Sequence, residues 1–94
     1  MNMDERLTEC LDAALDGHRA REAGREKEAS SNYRKAGELT VLFLGEHGDD
    51  MKDAFQIEKL NYWADNAAYW FRMGGREAEA KAVLNQWKVR RMIP

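Results

Sequence analysis

The string "GREKEA" at residues 24–29 returns as "GREAEA" at residues 75–80, 51 positions later. A chain of 94 residues that writes one phrase twice is tightly constrained in what it can fold into. Glycine adopts the left-handed backbone that closes a helix, and glutamates just after it face the positive end of a new helix dipole. An alanine five positions beyond the glycine lets two helices approach closely. The repeat therefore predicts a helical hairpin written twice, with each phrase at the point where the chain turns back.

The remaining residues suit that expectation. There is one proline in the chain, apolar residues make up 44% and charged residues 34%, and Ala, Leu, Glu, Lys and Arg outnumber β-branched types. Such a composition favours helix and a single folded domain over residues 1–94. No run approaches the roughly 20 apolar residues of a membrane helix, and the charged start "MNMDERLTE" lacks the apolar core of a signal peptide. A single cysteine, Cys10, rules out an internal disulfide. The economical expectation is a cytoplasmic protein in a reducing compartment. Net charge is −2 but unevenly spread, with −4 over residues 1–18 and +3 over residues 76–94. The simplest reading is that the two ends offset one another or face water.

Capping and periodicity predict four helices in an all-α bundle of two antiparallel hairpins, at about 3–44 and 51–91. Asn2 with Glu5 can cap the first helix, on which Leu7, Leu11, Ala14 and His18 share a face. That helix should end near Gly24, with Gly17 a weak point inside it. In the second helix Ala29, Tyr33, Ala36, Thr40 and Phe43 form a helical stripe. "LGEHGDD" predicts its end at about residue 44, a turn holding His47, and a cap from Asp49 or Asp50 for a third helix at about 51–73. On that helix Ile57, Leu60, Ala64, Ala67, Ala68 and Phe71 make a core stripe. Phe55, Tyr62, Tyr69 and Met73 make a second on nearly the opposite side, with Trp63 and Trp70 between. The fourth helix, about 76–91, groups Ala80, Leu84 and Trp87.

Aligned from the glycine, the copies read Gly24, Ala29, Tyr33, Ala36 and Gly75, Ala80, Leu84, Trp87. This resembles the turn and second helix of the tetratricopeptide repeat over about a third of the chain. The first copy is close, and the second departs at Leu84 and Trp87. The spacing of 51 exceeds that family's 34, so the expectation is a tetratricopeptide-like bundle and not a regular array. The resemblance implies a groove lined by the first helix of each hairpin that holds a partner's peptide or helix. It places Leu11, Ala14, His18, Arg21 and Glu22 in that groove from one hairpin, and Tyr62, Asp65, Tyr69, Arg72 and Met73 from the other. A second segment, Asn61-Tyr62-Trp63-Ala64, is similar to the Asn-x-Trp-Ala of the AraC-negative regulator family, although Ala67 stands where that family has arginine.

Five of the nine aromatic residues lie within residues 62–71, more than one side of a helix can bury. Tyr62, Tyr69, Trp63 and Trp70 are therefore expected at an interface, with Asp65, Arg72, Met73, His18 and Arg21 around them. His18 and His47 lack metal-ligand spacing, Asp49, Asp50 and Asp53 lack a calcium-loop pattern, and no nucleophile triad or phosphate-cradling loop is present. No cofactor is expected. The reading is a non-catalytic regulator or adaptor that occupies a partner protein's surface. Two others stay open: a homodimer closed by the helix 3 rings, and a nucleic-acid-associated transcriptional regulator using Lys88, Arg90 and Arg91.

Overall fold

The computed structural model describes residues 2–90 and is all-α, with α1 (Met3–Glu22), α2 (Glu26–Asp53), α3 (Ile57–Met73) and α4 (Glu77–Trp87). Among the described residues no helix is long and apolar enough to cross a membrane. Asn2 caps α1 as its sequence suggests: its Oδ1 accepts the Glu5 amide at 2.8 Å, and its Nδ2 donates to the Glu5 carboxylate at 2.9 Å.

The repeated phrase forms the same turn twice. Gly24 and Gly75 have φ of 76° and 77°. The next amide in each copy reaches back five residues, Arg25 to the Ala20 carbonyl at 2.8 Å and Arg76 to the Phe71 carbonyl at 2.7 Å. This is a left-handed helix closure that satisfies carbonyls left free at a helix end. Each arginine then pairs with the glutamate three residues on, Glu28 at 3.5 Å and Glu79 at 3.3 Å. Ala29 and Ala80 are buried one turn later.

A third turn of this type joins α2 to α3, and it lies later than expected. "LGEHGDD" is helix, not turn: α2 runs on to Asp53, so Asp49 and Asp50 lie inside it and do not cap α3. His47 sits within α2, its ring 5.4 Å from that of Phe43. Of the two glycines that read as a turn signal, Gly48 serves packing, since a Cβ there would overlap the Trp87 ring, and Gly45 faces open space. The closure falls instead at Ala54-Phe55-Gln56, where the Gln56 amide donates to the Met51 carbonyl at 2.8 Å. Phe55 has φ of 58° and is 90% exposed, so it precedes α3 and is not part of that helix's stripe. At the other end α4 stops at Trp87, short of the expected residue 91, which lies outside the described residues.

Each helix packs chiefly on its neighbours in the chain, and α2 is shared between α1 and α3. The long spacing between the two phrases is thus taken up as helix: 28 residues of α2 span roughly 42 Å, close to the 46 Å length of the molecule. The third principal dimension is 16 Å, the thickness of two helix layers. One layer holds α1 and α3, the other α2 and α4. Small residues let the layers meet. Ala13, Gly17 and Ala20 of α1 are buried, and a Cβ at Gly17 would come within 3.1 Å of the Tyr33 ring. Gly17 is therefore a contact point for α2 and not a weak point. Gly37 of α2 likewise receives the ring of Phe71. The expected stripe on α2, Ala29 to Phe43, is buried throughout, and so is that on α3 apart from half-buried Ile57. On α4 the buried row is Ala80, Val83 and Trp87, with Leu84 only partly covered.

Arg6 ties the start of α1 to α2, donating from Nε to Glu46 at 2.7 Å and from Nη1 to Glu9 at 2.9 Å. The hydrogen bond from Arg6 holds the Glu46 carboxyl below its ordinary value, and the same bond is the main cause that raises the Arg6 guanidinium. A carboxyl lowered by folding stabilises the fold above its unfolded pKa, and that contribution is lost as pH falls through the folded value.

Two predictions follow from the turns and this pair. In an αL position a non-glycine residue costs roughly 1–2 kcal/mol. Phe55→Gly should therefore stabilise the protein by about 1 kcal/mol in urea titration, and Gly75→Ala should destabilise it by a similar amount. Unchanged midpoints for both variants would contradict the shared geometry. Glu46→Gln should melt below the wild type at neutral pH, and the two should converge as pH drops below roughly 4. A gap that persists at low pH would show that the carboxylate's charge is not the cause.

Candidate functional site

The two rows of residues expected to line a groove come partly together. Leu11, Ala14, Leu15 and His18 of α1 face Tyr69 and Trp70 of α3 across a cleft of about 460 Å³, with Tyr33 of α2 in its lining. The helices that form its walls belong to one layer, and the tyrosine comes from the other. Local sequence explains the placement. The small residues of α1 pack on α2, and Leu11 and Leu15, each two positions from Ala13 and so on nearly the opposite side of the helix, are turned outward. On α3 the alanines at 64, 67 and 68 are drawn inward, which leaves Tyr62 and Tyr69, two turns apart, 60% and 55% exposed.

Polar groups fix one end of the cleft. His18 Nδ1 and the Tyr33 hydroxyl lie 3.2 Å apart, and His18 Nε2 is 3.8 Å from Glu22. Arg21 Nη1 reaches Met73 Sδ at 3.9 Å, bringing α1 and α3 together where both helices end. Of these His18 lines the cleft, while Arg21, Glu22 and Met73 are linked to one another or to His18 beyond its lining.

Other expected members lie elsewhere. Trp63 and Trp70 are each only 8% exposed. Trp63 packs edge-on to Phe43, with ring centroids 5.7 Å apart, and supports Tyr62 on its other side at 5.2 Å. It is a core residue, corrected from its expected place at an interface. Trp70 is likewise buried, although it lines the cleft. The cause is shared: a ring flanked by helix neighbours on both sides is drawn beneath them when α2 and α4 cover α3. Tyr62, Asp65 and Arg72 do not line the cleft. Asp65 pairs with Lys88 at 2.9 Å, and Arg72 pairs with Glu77 at 3.1 Å, so both charges serve the α3–α4 hairpin.

Lys88 is thereby engaged within the protein, Arg90 is exposed, and Arg91 lies outside the described residues. Asn61, part of the segment similar to a family motif and on the polar edge of the third helix, has a definite structural task. Its Nδ2 donates to the Val89 carbonyl and its Oδ1 accepts the Val89 amide, both at 2.8 Å, which fastens the segment after α4 to α3. Sequence reading missed this, because an asparagine's partner 28 residues away leaves no local signal. Cys10 is fully buried, and burial raises its thiol pKa against the opposing effects of Thr40 and Arg6. A thiol so placed is a poor nucleophile. Among the described residues no group of three or more His, Cys, Asp or Glu is placed to hold a metal ion.

The chain matches no family model, no curated protein and no solved structure. An Asn61→Ala variant should lose about 1–2 kcal/mol and the hydrogen-exchange protection of the Val89 amide, with α1 and α2 amides unchanged. Retained protection at Val89 would show that the segment is held by other contacts.

Proposed function

We propose that this protein is a non-catalytic protein-binding module, a small regulator or adaptor whose α1–α3 cleft receives an amphipathic helix of a partner. The observation that carries the reading is the meeting of Leu11, Leu15 and Tyr69 on one open apolar surface. Its walls are helices, whose backbone groups are already hydrogen-bonded, so the cleft offers no edge to which an extended strand could add. A helix can still lay an apolar face into it. Tyr69 and Tyr62 would be the aromatic anchors, large rings with few rotatable bonds and a polar tip. His18 and Arg21 would orient the occupant at the end where α1 and α3 are closest. The tetratricopeptide resemblance of the sequence points the same way, since it implies a groove lined by the first helix of each hairpin.

Exposed aromatic anchors truncated to alanine typically cost ~2 kcal/mol or more of binding when they fill a partner's pocket. Tyr62→Ala/Tyr69→Ala should therefore abolish capture of the partner in a pull-down from host extract, with the helical circular dichroism spectrum unchanged. Undiminished capture by the folded double variant would reject the assignment. Light scattering on the same pair of proteins separates the homodimer. A wild-type dimer that becomes a monomer in the double variant would assign the surface to self-association instead.

A further inference from the structure

The opposite layer carries a second cleft, which the proposed α1–α3 site does not use. Val41 and Leu42 of α2 face Ala82 and Val83 of α4 across about 470 Å³, and Phe71 of α3 contributes to the lining. The two helices barely touch along this stretch, although the Trp87 ring against Gly48 pins them together further on. Leu42 is left 51% exposed.

The charged residues that line this cleft have one sign. Glu38 lines it from α2 and Glu79 from α4, and no basic residue lines it. The nearest basic residues of α2 are occupied or turned away. Arg34 packs under Gly74 and donates to the Ser30 carbonyl at 3.3 Å, while Lys35 lies in a different cleft with Glu9, Asp12 and Asp16 of α1. Glu38 makes no ion pair among the described residues. Glu79 pairs only with Arg76, at 3.3 Å, with both side chains nearly half exposed. A pair so open to water is weak and exchanges readily for another cation.

We propose that the α2–α4 cleft is a second docking surface, and that its occupant is a basic amphipathic helix from another protein. Apolar side chains at helical spacing would cover Leu42, Val41 and Ala82, with buried Val83 and Phe71 forming the floor, and a Lys or Arg one turn away would sit between Glu38 and Glu79. Helical walls again leave no free backbone for a strand. Two carboxylates on facing walls select a cation, because an acidic occupant would add a third negative charge and a neutral one would leave both unmatched. With a site on each layer, the protein would bridge two partners.

The test uses the intact protein to select from a displayed library of random 16-residue peptides, followed by fluorescence anisotropy with the synthetic winners. The expected winners place apolar residues at helical spacing beside a Lys or Arg. Leu42→Glu should weaken them about tenfold or more, and Tyr62→Ala/Tyr69→Ala should not. The charge-reversed Glu38→Lys/Glu79→Lys protein should prefer the same peptide with its basic residue changed to Glu. Both substituted sites are on the surface, and thermal melts establish that the variants fold. Winners without a basic preference, winners indifferent to Leu42→Glu, or a library that yields none would overturn the proposal. Winners lost only with the tyrosines would overturn it while supporting the α1–α3 site. A wild-type dimer dissociated by Leu42→Glu would assign the cleft to a second copy and overturn the foreign helix.

Discussion

Rings seated on glycines hold this protein together. α2 receives Phe71 of α3 at Gly37 and Trp87 of α4 at Gly48, and it presses its own Tyr33 against Gly17 of α1. At Gly37 and Gly48 the ring sits closer than a Cβ would allow, and at Gly17 it leaves only 3.1 Å, so the aromatic face fills the space that the missing methyl vacates. Together the three contacts make α2 the common support for the other helices. They also fix where the layers touch. Two of the same rings also line the clefts, Tyr33 the first and Phe71 the second.

The turns follow from a separate and local rule. A helix that must reverse within three residues needs one left-handed residue to return its last carbonyls to bonded partners. Gly24 and Gly75 meet that need without strain, and Phe55 meets it with strain. The backbone closure at Phe55 is the same, down to the hydrogen bond from Gln56 five residues back to Met51. A closure can therefore form without the residue that advertises it, provided the packing of α2 against α3 and α4 holds the turn in place.

Charge is arranged to secure edges, while the apolar clefts stay open. Arg6 with Glu46 fastens the start of α1, Asp65 with Lys88 fastens the end of α4, and Asn61 holds the backbone of Val89 just beyond it. These contacts sit at the ends of helices, where fraying is otherwise easiest. Between them, Leu11, Leu15 and Tyr69 on one layer and Leu42 on the other keep substantial apolar surface in water. Both clefts are walled by helices of one layer and lined in part by a ring from the other.

Much of the architecture was legible in local pattern. The doubled phrase marked two of the three turns, Asn2 marked the first helix start, and the period of the α2 stripe identified its buried face from Ala29 to Phe43. These features depend on residues within one or two helical turns of each other, and a sequence displays such relations directly. The rows of α1 and α3 that meet at the first cleft were readable for the same reason, through Leu11, Ala14, His18 and Tyr69.

Tertiary contact decided the rest. Whether Gly48 ends a helix or makes room inside one depends on Trp87, a residue from another helix, so "LGEHGDD" could not be resolved by its own composition. Which of the rings on α3 would be covered depended on where α2 and α4 came to rest, and that buried Trp63 while leaving Tyr62 beside it in water. The sequence by itself determined that there would be helices and where most of them would turn, because propensity, capping and periodicity act over a few residues. Only the packed structure decided which faces stayed open, because solvent exposure belongs to pairs of surfaces that the chain brings together from far apart.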